Sequence, residues 1–74
     1  MEQEYVTLRG LIDKDIEKFT ADNPYRKTMH VRLANESRQH IPRLVDDYTK
    51  YAVAFGIASV RSNSWRTGIS IQFK

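Results

Sequence analysis

Cysteine is absent from this sequence, and turn formers are scarce, with three Gly and two Pro in 74 residues. Without cysteine there is neither a disulfide nor a thiolate metal site. Such a chain suits a reducing compartment, and a cytoplasmic location is expected. No apolar run approaches the roughly 18–20 residues that a membrane span needs, so no membrane is expected among its partners. The opening MEQEYVTL is acidic and lacks an apolar signal core, so no export signal is expected. With 41% hydrophobic and 28% charged residues, the composition argues against a disordered chain. Residues 1–74 are expected to form one domain, which at this size buries only about 60% of the surface its unfolded chain exposes. So thin a core packs on apolar contacts alone or is shared with a second copy.

Acidic residues are missing after Asp47. Residues 1–25 hold six Asp/Glu against three Lys/Arg, a net of −3, whereas residues 26–74 hold nine Lys/Arg against three Asp/Glu, a net of +6. A basic C-terminal two-thirds suits an anionic partner, either nucleic acid or an acidic protein surface. Solubility charge is the plainer reading of the same excess.

The pattern of apolar residues supplies the elements. Tyr5-Val6-Thr7-Leu8 reads either as a short strand ended by Gly10 or as the start of a helix capped by Thr7. Leu8, Leu11, Ile12, Ile16 and Phe19 recur every three or four residues, so a helix is expected over about residues 11–21, stopping before Asn23-Pro24. From Lys27 to Ala34, Met29, Val31 and Leu33 alternate with Thr28, His30 and Arg32, the period of a half-buried strand. Ile41, Leu44, Val45, Tyr48, Ala52 and Phe55 mark a second helix, with Pro42 in its first turn and Gly56 at its C-terminal cap. A hairpin follows, Ala58–Ser62 and Thr67–Phe73, with Ile69, Ile71 and Phe73 on one side. The final strand is expected inside the sheet or at a subunit contact, because a terminal strand must be paired to be ordered.

The expected fold is therefore α+β, in the order (β)-α-β-α-β-β. Two helices would cover one face of a three- or four-stranded mixed sheet that ends in a C-terminal β-hairpin. With an N-terminal strand, this element order and the basic terminal hairpin are similar to those of the Alba-type nucleic-acid-binding proteins and of the C-terminal domain of a bacterial initiation factor.

Reactive constellations are as scarce as cysteine. His30 and His40 are ten residues apart, with no second ligand at metal spacing beside either. Adjacent Asp46 and Asp47 diverge by about 100° on a helix and so do not form an acid–base pair. No nucleophile has a neighbouring base, and no Gly-rich phosphate loop is present. An enzyme is not expected, and no cofactor or metal is implied.

The binding candidates lie in the basic segments. Arg38 and Arg43 fall near the start of the second helix, where cations oppose the helix dipole unless an acidic neighbour or a bound anion offsets them. In SVRSNSWRTG, Arg61 and Arg66 flank Trp65, the single tryptophan. If Asn63-Ser64 were a two-residue turn, Arg61 would face Arg66, an unfavourable pairing that an anion between them would relieve. Odd-number parity with Ile69, Ile71 and Phe73 puts Trp65 on the core face, and a bulge at Gly68 would reverse it. The leading expectation is a small non-enzymatic nucleic-acid-binding module in which Arg38, Arg43, Arg61, Arg66 and Lys74 contact phosphates and Trp65 stacks. The alternative is a protein-interaction or inhibitory module with the same tryptophan and arginines as hot-spot residues. Homodimerisation through the C-terminal strand is compatible with both.

Overall fold

Ile69 and Ile71 are wholly shielded from solvent, and their strand sits in the middle of the sheet. A computed structural model describes residues 2–74. Its elements are α1 (Glu2–Asp22), β1 (Thr28–Arg32), a 3-10 segment (Asn35–His40), α2 (Ile41–Lys50), the single turn α3 (Ala52–Phe55), β2 (Ile57–Ser62) and β3 (Gly68–Phe73). The strand order is β1-β3-β2, and both pairings are antiparallel. The α+β class, the C-terminal hairpin and the internal position of the last strand agree with the expectation from sequence.

Three details differ. The sheet is antiparallel throughout, not mixed. Strands β1 and β2 do run in the same direction, but β3 lies between them in a split β-α-β arrangement. The reason is composition: β3 carries Ile69, Ile71 and Phe73, and only the central place buries it while pairing both of its edges. Because both edges are taken, β3 offers no edge to a second copy, and the strand route to a homodimer is closed. Next, residues 2–22 form one helix, so there is no N-terminal strand and the likeness in element order to Alba-type proteins is lost. Tyr5 replaces Leu11 on the inner face: Tyr5, Ile12 and Ile16 are buried with Leu8 and Phe19 beside them, while Leu11 is exposed. Finally, the second helix breaks at Tyr51 (φ −102°, ψ 22°), and α3 ends at Gly56, whose left-handed φ of 67° makes the expected glycine cap. Ile57 folds back beneath it and is buried.

All helices pack on one sheet face. Met29 and Val31 from β1, Ile57 and Val60 from β2, and Ile69 and Ile71 from β3 meet Leu44 and Tyr48 of α2 and Ile12 and Ile16 of α1 in a single core. A register shift between Ile57 and Ser59 lets β2 bury two residues three apart. Phe19 stacks on Phe73 at 5.9 Å and ties the end of α1 to the end of β3. The opposite sheet face carries no helix, and its residues stay polar.

Two glycines set contrasting demands. A methyl group on Gly10, within α1, would meet nothing within 4 Å, whereas one on Gly68 would lie 1.9 Å from the Val31 carbonyl oxygen. Gly10→Ala is therefore expected to raise stability by about 0.5–1 kcal/mol, the usual cost of a helical glycine. Gly68→Ala is expected to lower it by about 2 kcal/mol or more, because rigid backbone cannot yield to the new atom. Urea denaturation of both variants beside the parent chain measures the two shifts.

Candidate functional site

Strand alternation sends Thr28, His30 and Arg32 away from the core, and the register decides what they stand beside. His30 pairs with Ser70, which pairs in turn with Arg61. One row along, Thr28 pairs with Gln72 and then Ser59. His30 Nδ1 lies 3.0 Å from Ser70 Oγ, and the Ser59 hydroxyl donates to Gln72 Oε1 at 3.1 Å. At the other end Arg32 faces Gly68, and the Asn63 N–H donates to the Gly68 carbonyl. At the hairpin end the open face thus has the small Gly68 and Ser70 on the central strand and the longer His30, Arg32 and Arg61 on the flanks, whereas one row further Gln72 on the central strand lies between the smaller Thr28 and Ser59.

The hairpin tip closes one end of this face. Asn63 accepts the Arg66 N–H at its carbonyl and the Thr67 N–H at its side-chain oxygen, and its Nδ2 donates to Thr67 Oγ1 at 2.7 Å. Arg66 takes a left-handed φ of 55°, which residues with a side chain seldom adopt. The turn therefore spans Asn63–Arg66, and Arg61 lies opposite Ser70 rather than Arg66. The unfavourable arginine pair expected from a two-residue turn does not form. Parity fails for the same reason: β3 begins at Gly68, Trp65 belongs to the turn, and its side chain is 82% exposed. No bulge at Gly68 is involved, since Gly68 stays in register with Arg32.

An open depression of about 920 Å³ results, with His30, Arg32, Arg61, Asn63, Trp65 and Ser70 around it. Of the six candidates from sequence, Arg61 and Trp65 meet here. Arg38 and Arg66 line a neighbouring groove together with Asp46, and Ser62 borders both hollows. Lys74 lies near the opposite end of β3, where its N–H bonds to the Gly56 carbonyl and its own carbonyl accepts from Lys27 Nζ at 2.9 Å. Arg43 is engaged elsewhere: it holds Glu2 through two hydrogen bonds of 2.6 and 2.7 Å and lies 3.8 Å from the Tyr5 ring centroid. Its hydrogen bonds also hold the Glu2 carboxyl below the usual carboxylate range. The cation near the start of α2 is thus offset by an acidic neighbour. Reasoning from sequence left Arg32 and His30 out of the site. Alternation did place both on the outer face, but only the register and the Leu33–Thr67 backbone bond of 2.9 Å put Arg32 beside the hairpin tip.

Folding also sorts the charges. The strands and their flanking loops, residues 23–34 and 57–74, hold six Lys/Arg and no Asp/Glu, whereas the helices hold six Lys/Arg and all nine Asp/Glu. Among the described residues, no carboxylate ion-pairs with Arg32, Arg61 or Arg66. No group of three or more His, Asp or Glu is placed to hold a metal, again among the described residues. No helix is long and apolar enough to cross a membrane. No protein-family model matches the chain, and neither a curated protein nor a solved structure matches it.

Some carboxylates of the acidic helices are used internally. The Tyr5 hydroxyl donates to Asp47, which also receives Arg9 at 3.3 Å, and the Tyr48 hydroxyl donates to Asp13 at 2.5 Å. Burial, then the hydrogen bond to Asp47, pushes the Tyr5 hydroxyl up to about 12 from its ordinary value of 10.0, and burial with the Asp13 bond raises Tyr48 as well. A raised folded-state value means stability is retained below the unfolded value and lost as pH climbs through the folded one. Stability is therefore expected to fall as pH rises from about 10 to about 12. Tyr5→Phe and Tyr48→Phe should each shallow that loss, and denaturant titration across this pH range with tyrosinate absorbance measures it.

Proposed function

We propose that this protein is a non-enzymatic nucleic-acid-binding module whose contact surface is the open sheet face and the hairpin tip. One observation carries the reading: Arg32 and Arg61, with no carboxylate ion-paired to them, share a depression with an exposed tryptophan, and Arg66 follows that tryptophan in the turn. Unpaired guanidinium groups attract phosphates and release condensed counterions when they bind. An exposed indole among them offers a stacking face for a base. A single exposed ring is ordinary on a protein surface, so it is the place of this one beside arginines that supports the reading. Arg38 extends the cationic surface through the groove it shares with Arg66. Arg43 drops out of the contact set because Glu2 neutralises it. Lys74 adds charge at a distance from the tryptophan. The cysteine-free sequence suits a reducing compartment such as the cytoplasm.

Binding of this kind weakens steeply with salt, by roughly 0.7 in log–log slope for each phosphate-contacting cation on a single strand. Arg61→Ala combined with Arg66→Gly is expected to weaken binding and to flatten that slope by about 1.4. Glycine at position 66 fits the left-handed backbone, so the loss is one of charge rather than of fold. A salt titration of labelled mixed-sequence oligonucleotide, with circular dichroism as the check on folding, tests this. An unchanged slope in the double variant would remove the arginines from the site. No binding even at low salt would transfer the same tryptophan and arginines to the protein-partner reading, since those residue types also dominate protein hot spots.

A further inference from the structure

The shape of the open face says which form of nucleic acid it fits. Toward the hairpin end of the central strand the positions between Arg32 and Arg61 are Gly68 and Ser70, small and uncharged, with His30 beside Ser70 at 3.0 Å; Gln72 follows beyond them, between Thr28 and Ser59. Cross-strand register therefore makes a short trough at this end, with a neutral floor over Gly68 and Ser70 and one arginine on each side, Arg32 level with Gly68 and Arg61 level with Ser70. The two flanking strands stand two strand spacings apart, about 10 Å. Trp65 stands at the hairpin end of the trough, and the depression between these arginines and the indole is the hollow described above.

A duplex is read by a protein ridge, either a helix or a two-stranded ribbon, lowered into a major groove about 12 Å wide. Here the surface is recessed where a ridge would be needed. The β2–β3 ribbon cannot serve as that ridge, because β1 covers the other edge of β3 as far as the Leu33–Thr67 bond. A narrow trough with an arginine on each side and an aromatic end suits one strand, with its phosphates at the arginines and one unstacked base against the indole.

Resting on the nucleic-acid reading above, we infer that the ligand is single-stranded, held in the trough over Ser70 with a base stacked on Trp65. Ser70 is the residue that separates this from general electrostatic attraction. Ser70→Lys adds a cation but fills the floor, so attraction alone would tighten binding, whereas occupation of the trough means binding weakens.

The test compares a mixed-sequence single-stranded oligonucleotide with its own duplex at one low salt concentration, following the fluorescence of Trp65 and the anisotropy of a labelled strand. The expected result is at least about 10-fold tighter binding of the single strand, with quenching of the indole. Trp65→Ala should cost roughly 5- to 150-fold, Trp65→Phe much less, and Ser70→Lys should weaken binding. Trp65 is exposed, so its loss leaves the fold intact and the comparison meaningful. Equal or tighter duplex binding that is indifferent to Trp65→Ala would overturn the single-strand inference while leaving nucleic-acid binding in place. Tighter single-strand binding by Ser70→Lys would overturn the trough. Absence of binding to both forms would overturn this inference together with the function it rests on.

Discussion

Strand β3 is hydrogen-bonded along both edges, and the rest of the molecule is arranged around that fact. The last residues of the chain can occupy the centre only if β1, forty residues earlier, comes to meet them. The backbone bonds Phe73–Lys27 and Leu33–Thr67 mark the two ends of that meeting. Closing a loop of that length costs entropy early, and the burial of Ile69 and Ile71 offsets it late. Gly68 belongs to the same constraint, because β1 passes so near that no side chain fits there.

The helical layer answers a different problem. Helix α1 lies beyond reach of the sheet's hydrogen bonds, so it is held by long side chains. Tyr5 reaches Asp47 and Tyr48 reaches Asp13, each burying a ring while its hydroxyl meets a carboxylate. Arg9 and Arg43 neutralise the remaining charge at this seam. The seam therefore uses acids and arginines together and leaves none of its arginines for a ligand. Across the sheet no carboxylate is present, and the arginines there stay unpaired. The arginines that hold the helices and those left free on the sheet face are thus separate sets.

Much of the fold was legible beforehand because its signals are local. Alternation in residues 28–33, the glycine cap at Gly56 and the apolar spacing of α2 each depend on neighbours within a few positions. The misreadings arose where distant residues decide. Tyr5 was ambiguous because its partner is Asp47, and the sheet looked mixed because the burial of β3, not chain order, selects its place. Trp65 was misplaced by parity because a turn with Arg66 in the left-handed region consumes residues that an unbroken strand would have counted. Arg61 and Trp65 were legible as site candidates from composition alone. Arg32 was not, since nothing within the sequence brings it next to the hairpin.

Sequence alone determined the α+β class, the terminal hairpin, the outward face of β1 and the acid-free C-terminal stretch. These follow from residue type and short-range period, which act without reference to the rest of the chain. Tertiary structure alone decided which arginines remain free, that Trp65 is exposed and where the open face is hollow. Each of those depends on cross-strand register or on a contact some forty residues away, and no local period carries that information.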